Sequence, residues 1–216
     1  MTEIILVRHG QANSHATDEK SYDQLSELGH QQASWLGDHM TATNPHFDQV
    51  ITGTLHRQAD TARSMGYEIS KQDTRLNELN YFAIAQALEQ QHKIPAPQSP
   101  QEYAHHLPVL ISHWAQDRLT DIPEQFSGFE GRITSLITEL CDQGGRHMLV
   151  TSGGVIGIIV RHVLGLAPDM ASKIMLQVMN SSVHRLHFIH DQLLLAGFNA
   201  TPHLDAPDRT HARTFI

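Results

Sequence analysis

Arg8 and His9 close the N-terminal run Glu3-Ile-Ile-Leu-Val-Arg-His-Gly-Gln11, and their side chains are a pair suited to phosphate chemistry. A guanidinium offers a planar fork of donors to a phosphate. An imidazole can attack phosphorus through a neutral ring nitrogen, with no proton to lose first. Together they suggest phosphoryl transfer through a phosphohistidine on His9. The residues before them, Ile4 to Val7, are all β-formers and read as a short buried strand. Ligands of open α/β sheets gather just beyond the carboxyl ends of such strands. An Arg-His-Gly triplet is short, so its weight depends on the motifs that accompany it.

A second segment, Gln49-Val-Ile-Thr-Gly-Thr-Leu-His-Arg-Gln-Ala-Asp-Thr-Ala62, repeats the plan of strand, turn and helix start, with Arg57 in the first helical turn. Helix N-termini carry partial positive charge and unpaired N–H groups, so Arg57 adds to an anion site. A third strand, Met148 to Thr151, runs into Gly153 and Gly154 ahead of an apolar helix beginning near Val155. Glycines at that turn let backbone N–H groups approach a phosphate closely.

With these motifs in order, the chain resembles the histidine phosphatase superfamily, which contains cofactor-dependent phosphoglycerate mutases and many small-molecule phosphatases. The resemblance runs along nearly the whole chain. Leu6-Val-Arg-His-Gly-Gln-Ala12 is similar to the nucleophile motif, and Tyr22-Asp-Gln-Leu-Ser-Glu-Leu-Gly-His-Gln-Gln-Ala33 to the start of the first helix. Thr52 to Ala62 is similar to the segment of the second phosphate-binding Arg, and Arg75-Leu-Asn-Glu-Leu79 to the segment that carries the acid. Val150 to Ile156 is similar to the late glycine motif, and Phe198-Asn-Ala-Thr-Pro-His-Leu204 to a C-terminal element of one bacterial branch.

The resemblance implies a role for each residue. His9 attacks phosphorus, Arg8 and Arg57 grip the equatorial oxygens, and Gly153 and Gly154 help bind the phosphate. Glu78 serves as general acid and then as base, which calls for a raised pKa. One departure stands out. The family places a second catalytic His just before the paired glycines, and Ser152 occupies that position here. A hydroxyl donates a hydrogen bond without the imidazolium charge, a cost of about 1 to 2 kcal/mol. Ser at this position also fits the resembling bacterial branch, and His184 and His203 are later candidates to make up the charge.

The expected function is therefore hydrolysis of a small phosphomonoester, with no metal and no cofactor. Two alternatives follow from the same motifs: a phosphate-binding pseudoenzyme without efficient turnover, or a phosphoglycerate mutase-like phosphomutase. A third would use Ser152 as nucleophile, with Asp191 or Asp205 and His203 or His211. That elbow wants Gly two residues before the Ser, where Val150 stands, and it leaves Arg8, His9 and Arg57 without a task. The chain has 17 histidines, but no His-Glu-x-x-His and no cysteine pair, so a metal site is not expected.

The elements that must hold these residues read as strands near 3–7, 47–51 and 147–151, alternating with helices near 26–41, 55–65, 127–143 and 155–164. Tyr67 to Ser70 suggests a further strand, and Val183 to Ile189 with Leu193 to Phe198 an antiparallel hairpin. This rhythm predicts an α/β protein, a three-layer αβα sandwich of phosphoglycerate mutase-like type, mostly parallel with an antiparallel edge. One domain, 1–216, is expected, with a helical cap insertion at about 79–127 that carries His92, His105, His106, His113 and Trp114. The tail from Asp205 to Thr214 is polar and is expected to be loosely held.

A net charge of −8 argues against nucleic-acid and anionic-membrane partners. Val155 to Val160 is too short an apolar stretch to span a bilayer. The single Cys141 excludes an intramolecular disulfide and fits a cytoplasmic protein. The partner expected is a small phosphorylated substrate.

Overall fold

The computed structural model describes residues 1–13, 16, 18–44 and 46–215. Strand β1 (Thr2–Arg8) leads through the short helix α1 (Glu19–Tyr22) into α2 (Glu27–Thr43), and then β2 (Gln49–Thr52), α3 (His56–Ser64) and the short strand β3 (Lys71–Gln72) follow. Two helices, α4 (Tyr81–His92) and α5 (Pro100–Ala115), precede α6 (Phe126–Gln143), β4 (Gly145–Thr151) and α7 (Gly153–Leu164). A short α8 (Ala171–Met175) and the hairpin β5 (Val183–Ile189) and β6 (Gln192–Ala200) complete the sheet.

The six strands lie in the order β3-β2-β4-β1-β5-β6. β3, β2, β4 and β1 run parallel, while β5 pairs antiparallel with β1 and β6 with β5. The sheet is thus mostly parallel with an antiparallel edge, as the sequence predicts. Alternate residues of β1 serve opposite faces. Ile5 and Val7 pack with Ala33, Leu36 and Met40 of α2 and Ala62 of α3. Ile4 and Leu6 join the larger core built by α4 to α8. Helices therefore cover both faces, which makes three layers and explains why Ile4 to Val7 is continuously apolar.

From β1 the chain crosses over β4 to reach β2, whereas from β4 it passes to the other side of β1, to β5. Neighbouring strands whose connections leave in opposite directions open a crevice at their carboxyl ends. Arg8 and Thr151 pair across that point, so His9 and Ser152 enter the crevice from adjacent strands.

Two expectations shift. The further strand forms at Lys71–Gln72 rather than at Tyr67 to Ser70. Ser70 docks on β2 through its own side chain, its N–H donating to Val50 O at 2.8 Å while its Oγ accepts from Val50 N at 3.1 Å, and Tyr67 turns onto the Phe47 ring. The tail is also held more firmly than its polarity suggests. Residues Pro207–Ala212 form a 3-10 helix. Gln32 Nε2 donates to Ala212 O at 2.7 Å and Thr214 Oγ1 at 3.0 Å, and Asn180 N donates to Thr214 O at 2.8 Å. The hairpin turns through His190 and Asp191, both at positive φ (51° and 59°), as a two-residue connection requires.

Candidate active site

The site is assembled at the carboxyl ends of β1, β2 and β4. His9 is buried, and its backbone N–H donates to Thr151 O at 2.9 Å while its carbonyl accepts from Ser181 N at 3.2 Å. Its Nδ1 lies 2.7 Å from Gly10 O. A carbonyl oxygen only accepts, so Nδ1 carries the proton and Nε2 keeps its lone pair. Burial, with the guanidiniums of Arg57 and Arg8 nearby, holds the imidazole pKa well below its usual range. His9 is therefore neutral at pH 7.

Arg8 is buried beside it. One terminal nitrogen donates to the carbonyls of Val178 and Phe215, which fixes the plane of the fork. Its Nε is buried and finds no hydrogen-bond partner among the described residues. A donor in that condition is costly unless an anion uses it. Arg57 is fully buried and set by Asp23, whose carboxylate accepts from Arg57 Nη1 at 3.1 Å. Asp23 also takes the backbone N–H groups of His56 and Arg57, at 2.9 and 3.1 Å. Leu55, the N-cap residue of α3, makes no side-chain cap of its own, so a carboxylate from a distant loop caps this helix and aims the arginine at once. The Tyr22 ring lies under the guanidinium at 4.8 Å and edge-on to His9 at 6.4 Å.

Glu78 reaches the same place from the loop after β3. Its carboxylate accepts from Leu79 N at 3.0 Å and from Gly154 N at 2.9 Å. A side chain at Gly154 would overlap Glu78 Oε1 and Leu79 Cδ2, so the second glycine makes room for the acid and spends its N–H on it. This departs from the expectation that Gly154 meets the phosphate. A Cβ at Gly153 would stand 3.6 Å from Arg8 Nε, so the first glycine lies beside that guanidinium.

Ser152 is buried, precedes α7, and accepts from Gln58 Nε2 at 2.8 Å. No histidine is bonded to it among the described hydrogen bonds, which removes the base a serine nucleophile needs. His184 and His203 supply no positive charge to the site. His184 bonds Ser182 Oγ at 3.0 Å and accepts from Asn199 N at 3.2 Å, and His203 bonds Ser181 Oγ at 2.8 Å. Burial lowers both to a pKa of about 3, so both are neutral.

Residues absent from the sequence expectations complete the wall. Thr61 Oγ1 accepts from Gly10 N at 3.0 Å and donates to Arg57 O at 2.7 Å. Its i+4 spacing from Arg57 was a legible signal. Asp23, Gln58 and Tyr103 had none, since their partners lie far away in sequence. The Tyr103 phenol of α5 faces Tyr81, Tyr22, Glu78 and Arg8, and burial drives its pKa up. Next to it Tyr81 OH bonds His106 Nδ1 at 3.0 Å, while burial lowers the pKa of His106. Among the described residues no three His, Cys, Asp or Glu side chains come together as metal ligands.

A three-layer α/β fold with a crevice at the switch point of its sheet defines the class, and the family follows. The chain belongs to the histidine phosphatase superfamily (branch 1), whose model matches residues 4–201. It is 27% identical over 219 residues to the "Probable phosphoglycerate mutase GpmB" of Citrobacter koseri, covering 96% of this chain and 97% of that one. The fold is similar to that of YhfR from Bacillus stearothermophilus, with a TM-score of 0.69 at 19% identity over 94% of this chain and 99% of that one. It is also similar to a mutant phosphoserine phosphatase of Entamoeba histolytica solved with phosphoserine, with a TM-score of 0.66 at 21% identity over 94% and 100% of the two chains. Members of this superfamily are phosphatases or mutases.

Proposed function

We propose that the protein is a phosphatase that hydrolyses a small phosphomonoester through a phosphohistidine on His9. The observation that carries the proposal is the His9 ring: buried, neutral, with Nδ1–H tied to Gly10 O, and with Nε2 given no hydrogen bond among the described residues, beside two guanidiniums. In the first step Nε2 attacks phosphorus in line, the N–P bond forms, and the P–O bond to the leaving group breaks. Arg57 and the Nε–H of Arg8 stabilise the equatorial oxygens, with the Gly153 N–H and the Ser152 hydroxyl beside them. Glu78 protonates the departing oxygen, then takes a proton from water as that water attacks phosphorus and releases His9.

The phosphatase reading is favoured over a mutase by what the helices α4 and α5, acting as the cap at about 79–127, bring to the site. They contribute Tyr81, Tyr103 and a neutral His106. Their fixed cations, Lys93 and Arg118, are exposed beyond the helix ends. A mutase for a phosphorylated acid needs a cation for the second anionic group, and an aromatic, uncharged wall suits a leaving group without a carboxylate. Quenching a reaction with an aryl phosphate and mapping the protein-bound phosphoryl tests the mechanism. An acid-labile, base-stable phosphoryl on His9 is expected; turnover with no such species would overturn it.

A further inference from the structure

Ser152 and Gln58 are both fully buried, come from different elements, and meet at 2.8 Å. The same Gln58 Nε2 donates to Leu76 O at 3.0 Å. Because a carbonyl oxygen only accepts, the Leu76 contact fixes which end of the amide carries the hydrogens. Ser152 Oγ is then an acceptor toward Gln58, and its own hydrogen points elsewhere. The opposite end of the amide, Gln58 Oε1, is buried and finds no hydrogen-bond partner among the described residues. A side chain at Gly53 would overlap it, so a glycine has to stand there for the amide to fit. An apolar side chain would fill this space without leaving a buried acceptor unsatisfied, so packing alone does not account for a glutamine here.

We infer that Gln58 is a positioning residue: its amide occupies one lone pair of Ser152 Oγ, so that the hydroxyl hydrogen is aimed at a phosphoryl oxygen held by Arg8. Ser152 stands between the end of β4 and Gly153, at which a Cβ would lie 3.6 Å from Arg8 Nε, so the backbone that carries the hydroxyl borders that guanidinium. A free hydroxyl rotates among several acceptors. One whose lone pair is taken by a fixed donor is pre-set for the transition state and need not be reoriented. The role of the pair rests on the phosphohistidine chemistry proposed above.

The test is a double-mutant cycle of Gln58→Met, close in volume but without donors, and Ser152→Ala, read as kcat and KM for an aryl phosphate and as affinity for orthovanadate. Each single variant is expected to lower kcat about tenfold, with KM little changed, and to weaken vanadate binding. Gln58→Met in the Ser152→Ala background should add nothing further. Gln58→Glu, which would accept from Ser152 and reverse the hydroxyl, should lose at least as much as Gln58→Met and keeps the test open should Gln58→Met fail to fold. Full additivity of the two losses, or natural kcat and vanadate affinity in the Gln58 variants, would overturn the inference. Failure of the parent proposal looks different: turnover that survives His9→Ala, or no turnover in the natural protein. The vanadate cycle still reads the pair in either case.

Discussion

Glu78 illustrates how single side chains divide the work in this site. Its carboxylate is anchored by the N–H groups of Leu79 and Gly154, a rigid mount for the group proposed above as the proton donor to the leaving oxygen. Glu78→Gln should therefore slow alkyl phosphates about 10²- to 10⁴-fold. A nitrophenyl phosphate, whose leaving group needs no proton, should lose less than about tenfold, and comparing kcat for the two substrates checks this. A uniform loss would argue that Glu78 only shapes the pocket. Ser152→His offers a second prediction. Gln58 already fills the space beside Ser152, so an imidazole there should overpack the site and cost about 1 to 3 kcal/mol by urea denaturation. Pairing the change with Gln58→Ala should recover both stability and turnover. Arg8 and His9 were legible because a strand end, a guanidinium and an imidazole stand together in sequence. Gln58 and Asp23 were not, because an amide or a carboxylate gains its meaning from partners the fold brings from far away, such as Ser152 at a separation of 94 residues.

Elements position these side chains through their ends. α3 is capped and its arginine aimed by one carboxylate, and α7 begins on two glycines with different tasks. Gly154→Ala should displace Glu78, lowering kcat more than it raises KM and costing about 1 to 3 kcal/mol of stability. Gly153→Ala, with only van der Waals contact to Arg8, should fold normally by thermal melting. Strands β1, β2 and β4 and the hairpin β5–β6 were readable from β-branched runs bounded by turn residues. β3 was not, because two residues leave no periodicity, and the neighbouring Tyr67 to Ser70 holds β2 through a serine side chain instead. The 3-10 tail is not legible in sequence for a similar reason. What orders it is Gln32 and Asn180, on other elements, and not its own composition.

Across the whole molecule the buried histidines set an acid limit. His184 and His203 are neutral in the fold, with pKa values of about 3, and the unfolded chain binds a proton at each near 6.5. Below that value the unfolded state holds more protons, so stability falls as pH falls, by about 1.4 kcal/mol per pH unit for each histidine. Urea midpoints should drop between pH 6.5 and 5, a loss of about 2 kcal/mol for each group. Carboxylates held low by ion pairs, such as Asp73 beside Arg75, release their share only below about pH 4, which separates the two windows. A midpoint unchanged from pH 7 to 5 would mean these imidazoles are not buried neutral.

His9 is lowered in the same way by burial and by Arg57 and Arg8, so its nucleophilic form should persist on the acid side of neutrality. The most direct measurement is phosphate release from an aryl phosphate without added metal, comparing the natural protein with His9→Ala from about pH 5 to 8. Release in the natural protein across that range, and its loss in the variant, is the predicted result. Equal rates in the two proteins would contradict a mechanism through His9.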